Sequence, residues 1–458
     1  MDDESTDVGH SEGGHPNPER TGDDDPDPER TGGGYSDAEV RTIALAIVAG
    51  VFFGGIATGV AFPTLPLLDD VLVIGAVMLS LILAANRIAR LVMNTPAGAI
   101  VDRVGARKPM IFGLFTQAIA PFGYVAGLHT PPGVLAVVPV LGEVSYPGVV
   151  FVLARLAWGV GSAFVFIGAF ATITYVTDSG NRGRWIGYMR GGQSLGFPTG
   201  LVLGGVLTDL AGMETAFLVA GVLALVAGTV ASLVLPDVRT SGDARSATIR
   251  EIPAIVRRHP AVLPIGFGNF TLRFLWGGLV LTTLARYAER NAMSVSALEA
   301  AGVAGVVMAL GVLTAGATTV VSGRLSDRLD RRALVTVPAF CSLTVGFLVI
   351  AFVPTVPALL VAILCMGAGV GAAAPVLLAL LGDLTPDAEV GRMGGVYNVF
   401  GDIGLSLGPL VAIPAVELWL GYELTYLLAG GLVVACLFVV SLPLLGAPEA
   451  EGTPTSAD

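Results

Sequence analysis

The chain has 458 residues, of which 53% are apolar and only 13% charged, with 61 glycines and a net charge of −11. A soluble domain carries about a quarter charged residues, so this composition excludes an ordinary soluble enzyme or a nucleic-acid-binding protein and predicts an all-α, polytopic membrane protein. The negative charge says little about the membrane part, because 13 of the 36 acids lie within the first 39 residues.

That segment, 1–39, repeats Pro-x-Pro-Glu-Arg-Thr-Gly at Pro16 and Pro26 and has almost nothing apolar to bury, which predicts a disordered acidic tail. It has neither a basic n-region nor an apolar h-region, so targeting falls to the first transmembrane segment. A span needs about 20 apolar residues to cross about 30 Å of hydrocarbon. On that rule six spans follow: Val40 to Leu68, Val71 to Val101, Pro109 to Leu128, Gly148 to Val176, Gly183 to Leu210 and Thr215 to Leu235. A polar connection, Pro236 to Pro260, then separates these from Ala261 to Ala285, Ser296 to Leu325, Ala333 to Val353, Pro357 to Leu381, Gly391 to Glu417 and Tyr422 to Leu445. The expected organisation is therefore a tail (1–39), a six-helix bundle (40–235), a cytoplasmic linker (236–260), a second six-helix bundle (261–445) and a disordered tail (446–458).

The second span carries Asn86, Arg87, Arg90 and Asn94, which at about 100° per residue share one polar stripe. It closes on Gly98, Asp102, Arg103, Gly105, Arg107 and Lys108, and the eighth closes 225 positions later on Gly323, Asp327, Arg328, Arg331 and Arg332. Arg155 and Arg273 lie in the middle of the fourth and seventh spans, and Arg190 in the fifth. A mid-membrane charge costs about 2.5 to 3.5 kcal/mol or more, so each requires a partner, a cavity or a function. Against these cations stands one central acid, Asp402, sharing a helix face with Asn398 and Ser406. Asp402 is the residue expected to take and release protons. Arg155 and Arg273 are expected to contact an anionic ligand, because a guanidinium offers a fixed fork to carboxylate or phosphate.

A glycine row in the fifth span, Gly196, Gly200 and Gly204, has counterparts in Gly404 and Gly408 of the eleventh, 208 positions on. Such rows suit close helix packing of the small-xxx-small kind. The chain is thus duplicated in two independent places, as in transporters built from internal repeats. Placing the amino terminus in the cytoplasm puts both charged turns and the linker arginines there, as the positive-inside rule requires, with both termini cytoplasmic in a cell-membrane protein. His10, His15, His129 and His259 lie in the tail or in loops, and Cys341, Cys365 and Cys436 stand singly within apolar runs. No metal site, disulfide or cofactor is expected, and the cysteines read as buried free thiols.

The turn from Gly98 to Lys108 resembles the hallmark Gly-x-x-x-Asp-Arg/Lys-x-Gly-x-Arg/Lys-Arg/Lys of the major facilitator superfamily; in the second copy Asp330 replaces the middle glycine. Arg155, Trp158, Gly159 and Gly161 resemble the family's intramembrane-arginine motif, and the fifth-span glycines resemble its antiporter-associated motif, with Leu201 at a proline position. The resemblance implies twelve helices in two pseudo-symmetric bundles and alternating access, the turn acid and cations latching the bundles on the cytoplasmic side in the outward-open state. It implies a monomeric, non-enzymatic transporter of a small organic solute within the lipid bilayer, exporting by proton (or sodium) coupling. An organic-anion transporter using the intramembrane arginines is the alternative, and a non-transporting receptor on the same fold a remote one.

Overall fold

The computed structural model describes residues 35–68, 72, 74–139, 142–236, 256–260, 262–329, 333–385 and 389–445. The tails, most of the linker, and Asp330, Arg331 and Arg332 of the second turn lie outside the described residues. In the hydrocarbon every backbone amide must be satisfied internally, and the spans accordingly form long helices. The first six are α1 (Asp37–Thr64), α2 (Ala76–Val104), α3 (Arg107–Leu128), α4 (Tyr146–Val176), α5 (Arg182–Ala211) and α6 (Met213–Val234). Then follow α7, α8 (Ala300–Ser326), α9 (Ala333–Phe352), α10 (Val356–Asp383), α11 (Val390–Pro414) and α12 (Gly421–Leu445). Eleven of them are long and apolar enough, unbroken, to cross a membrane. The twelfth, α7, is helical over Val262–Arg273, widens to a π-helix over Phe274–Val280 and resumes over Leu281–Arg290.

Local chemistry sets several ends. The first helix begins three residues before the apolar run because Ser36 and Glu39 form a capping box, in which the Ser36 backbone N–H donates to Glu39 Oε2 at 2.9 Å and the Glu39 N–H to Ser36 Oγ at 3.4 Å. Gly105 stops α2 with φ of 84°, a left-handed value that glycine adopts without strain, and this lets α3 start two residues later. Between α3 and α4 an antiparallel hairpin, β1 (Val134–Val138) and β2 (Gly142–Ser145), occupies what reads in the sequence as a plain break. One cysteine expectation is corrected: Cys436 is buried, but Cys365 is half-buried and Cys341 exposed, because helix faces turned toward lipid hold apolar side chains without covering them.

Helix pairing repeats itself. In the first half α1 packs on α5, α2 and α3 on α4, and α3 on α6; in the second, α7 packs on α11, α8 and α9 on α10, and α9 on α12. The two halves meet through α2 against α11 and α5 against α8, which the same repeat makes equivalent. The glycine rows account for the tightest pairs. Methyl groups at Gly196, Gly200 and Gly204 would strike the backbone of Phe52, Ile56 and Val60 in α1, and at Gly404 and Gly408 that of Phe270 and Gly278 in α7.

The halves touch at one end and part at the other. At the end remote from the charged turns, Gly205 and Gly305 hold α5 and α8 in backbone contact, and Asp209 Oδ2 accepts from the backbone N–H of Glu299 at 2.6 Å and of Gly302 at 2.7 Å. Nearby, Arg286 pairs with Glu417 at 3.0 Å and donates to the Pro66 carbonyl of the first half at 3.4 Å. At the turn end, side chains added at Gly98, Gly187, Gly323 or Gly394 would meet nothing within 4 Å.

Candidate translocation site

Close approach of α4 to α2 sets one side of the cluster of charges inside the spans. Gly159 lies directly against the Asn86 backbone, so a methyl there would overlap the Asn86 carbonyl. One turn away, Arg155 donates from Nε to the Ile82 carbonyl at 3.1 Å and from Nη2 to the Leu83 carbonyl at 3.4 Å and Asn86 Oδ1 at 2.8 Å. In this state the side chain is only 2% exposed and its guanidinium donates to α2.

From the polar stripe of α2, Arg87 lies over the Phe62 ring at 5.6 Å, a cation–π arrangement. It sits within electrostatic range of Arg90, Arg155 and, from the other half, Arg273 and Asp402. Arg90 Nη2 lies 3.6 Å from Asp402 Oδ1, with the two side chains 28% and 21% exposed. This ion pair bridges α2 and α11, hence the two halves. At that exposure it adds little stability, so its importance lies in being easily made and broken.

The opposite side is built by α7 and α11. A methyl at Gly401 would lie 2.6 Å from Asn269 Nδ2 and 3.1 Å from Arg273 Nε, so only glycine lets the α7 side chains lie across α11 beside Asp402. Asn269 is held by donating to the Tyr397 carbonyl at 2.7 Å, and Ser406 Oγ donates to the Asp402 carbonyl at 2.7 Å. Arg273 stands at the last α-helical position before the π-helix of α7, a local widening that recurs at functional sites. Its side chain is exposed and makes no hydrogen bond or ion pair among the described residues. Asn398 is also exposed, one turn from Asp402. Arg190, by contrast, is an exposed residue of α5 outside this cluster.

Arg87, Arg90, Arg273 and Asp402 thus lie within electrostatic range of one another, Asn398 stands one turn from Asp402 on α11, and Arg155 is held against α2. The gating turns stand apart. Asp102, Arg103 and Lys108 are exposed, while Arg107 donates to the Ser232 carbonyl of its own half at 3.1 Å. Asp327 and Arg328 are exposed as well. Sequence reasoning missed Gly401 and Asn269, although their positions beside Asp402 and one turn before Arg273 were available signals. It also missed the Asp209 contact, which no local pattern announces. Among the described residues no group of His, Cys, Asp and Glu could hold a metal ion.

The model of the Major Facilitator Superfamily matches residues 47–315 and 295–457. The chain belongs to this superfamily. Among its relatives, the multi-drug resistance efflux pump PmrA of Streptococcus pneumoniae is 25% identical over 399 residues, covering 85% of this chain and 93% of the pump. Multidrug resistance protein 2 of Bacillus subtilis is 24% identical over 199 residues, which span 43% of this chain and 45% of that relative. The solved D-xylose–proton symporter shares the fold with a TM-score of 0.69 at 16% identity, covering 90% of this chain and 99% of the symporter. As a superfamily member the protein is a polytopic membrane transporter of small solutes, and its two halves meet at the 5–8 and 2–11 helix contacts.

Proposed function

We propose that the protein is a proton-coupled secondary transporter that exports a small organic solute by alternating access, as a monomer in the cell membrane. In this reading the turn end and both termini face the cytoplasm, and a central chamber between the halves is open to that side. The excess of cations at the turn end supports the orientation. Export is supported by the printed function of PmrA, an efflux pump.

The observation that carries the reading is the Arg90–Asp402 pair, the charged contact between the halves inside the chamber. With Asp402 ionised, the pair ties α2 to α11. A proton on Asp402 removes its charge, frees Arg90 and leaves the α2–α11 seam without its electrostatic tie, so protonation and rearrangement of the halves become linked. Asn398 and Ser406 share the face of α11 that carries the carboxylate, and Ser406 Oγ donates to the Asp402 backbone carbonyl. When the molecule opens to the other side, the Asp102 turn closes the cytoplasmic end.

Purified protein in vesicles with an imposed pH gradient tests this directly. Solute movement should follow the pH gradient. Asp402→Asn should lower gradient-driven transport by about tenfold or more while leaving solute exchange without a gradient, because the carrier still moves but no longer exchanges a proton. Transport driven by a sodium gradient alone, or indifference to Asp402→Asn, would remove proton coupling through this residue.

A further inference from the structure

The chamber holds more positive charge than it neutralises. Arg90 is paired with Asp402, and Arg155 is spent on α2. Two guanidiniums remain, one from each half: Arg87, whose neighbour is the Phe62 ring, and Arg273, exposed and unpaired among the described residues. Each lies deep within a membrane helix, where an uncompensated cation is costly unless a ligand or water serves it. Half-buried rings adjoin Arg273: Phe267, Phe270 and Phe274 stack in series along α7 at 6.3 and 5.6 Å on the strip beside it, while Phe62, edge-on to Phe197 at 5.4 Å, is buried beneath Arg87.

We propose that the solute is an amphiphilic organic anion, an aromatic or aliphatic body bearing a carboxylate or a comparable oxyanion, whose head group is gripped between Arg87 and Arg273. This rests on the transporter function above and specifies the substrate class of the same chamber. A guanidinium presents parallel N–H donors that match the two oxygens of such a head group, which an ammonium cannot do. The ring stack takes the body, as in sites where apolar walls supply area and a few polar groups set orientation. Since one arginine comes from each half, a bound anion also neutralises the repulsion between them that otherwise opposes their approach. An acidic residue is needed in the chamber for proton coupling, and Asp402 escapes competition with the solute by being already engaged with Arg90.

The test is equilibrium binding of three isosteres to the full-length protein in lipid nanodiscs: a naphthalene carboxylate, its amide and the corresponding amine. The carboxylate should bind at least about tenfold more tightly than the amide, the ratio that one charge-assisted hydrogen bond supplies, and the amine weakest of all. Arg87→Gln and Arg273→Gln should each remove that preference, and a thermal unfolding midpoint matching that of the wild type shows each variant to be folded. Arg273→Lys should recover only part of it, since charge returns without the fork. Arg41→Gln, at the exposed start of α1, should change nothing. Equal binding of carboxylate and amide, tightest binding of the amine, absence of binding by all three, or insensitivity to both glutamine variants would overturn the proposal. Movement of a cationic or neutral dye down to the level set by the pH gradient, with dependence on Asp402, would then leave the transporter reading standing. Loss of all gradient-driven movement would overturn that reading separately.

Discussion

The two ends of the molecule are built by different physics. At the end remote from the turns, α8 begins without a capping side chain of its own, and one carboxylate oxygen of Asp209, from the other half, accepts from both the N-cap residue Glu299 and the third helical residue Gly302. These are the two donors that α1 satisfies locally with Ser36 and Glu39. The start of α8 is thus capped only while the halves are closed there, with a negative charge placed at the positive end of the helix dipole. Gly205 and Gly305 bring the backbones into contact beside it. At the turn end the equipment is long and charged: Asp102, Arg103 and Lys108 reach into open space, and Arg107 is tethered within its own half. Short contacts make closure all-or-none, whereas long side chains can find partners across a gap.

The contrast is broken most severely at the glycine seam. Gly305→Val should prevent closure at the capped end, because any Cβ there overlaps the Leu201 carbonyl and backbone cannot yield as a side chain can. Overpacking of this kind costs about 1 to 3 kcal/mol, a shift of roughly 5- to 150-fold toward the state open at that end. Spin labels at exposed Leu210 and Val295, replaced by cysteine, should report a longer distance, and transport should fall in proportion. Asp209→Ala acts in the same direction and less strongly. Loss of an N-cap costs about 0.5 to 2 kcal/mol, so the closed fraction should drop by roughly 2- to 30-fold on the same label pair. Asp209→Asn should fall between wild type and alanine, since the amide oxygen still accepts but carries no charge. An alanine variant indistinguishable from wild type would show that the seam, and not the cap, holds this end.

Features written in local pattern were legible in the sequence: the twelve spans from apolar length, the repeat from the doubled turn, and the placement of Asn398, Asp402 and Ser406 on one face from their spacing of four. The glycine row of α5 could be read as packing, and its atoms lie against α1. Contacts between segments far apart in the chain were not legible, because they depend on how two helices are rotated relative to each other. Arg155 looked free for a ligand because two of its three acceptors, Ile82 and Leu83, are backbone carbonyls that any sequence supplies, and the third, Asn86 Oδ1, lies on a different helix. Arg286 falls just past the seventh span as read from the sequence and Glu417 ends the eleventh, yet α7 runs on to Arg290 and α11 into a π-turn over Ala415–Trp419, which brings them to 3.0 Å. Asp209 was legible as an acid on that side and not as the cap of a helix ninety residues away.

The smallest effect gives the sharpest comparison, because its sign should be opposite. In the present state Asp102 is exposed and makes no hydrogen bond or ion pair among the described residues, so Asp102→Asn takes nothing from it. If the turn latches the halves only when the molecule opens to the other side, the variant weakens that alternative state alone. A charge at a helix terminus contributes about 0.3 to 1 kcal/mol, so the population of the present state should rise by roughly two- to fivefold on the same label pair, where Asp209→Ala lowers it. The two residues sit at opposite ends of the molecule with no shared partner, so the double variant should return the distribution toward that of the wild type, the two shifts adding within a few tenths of a kcal/mol. A shift of the same sign from both variants would mean that the Asp102 turn stabilises the closed outer end as well, and the division of labour between the two ends would fail.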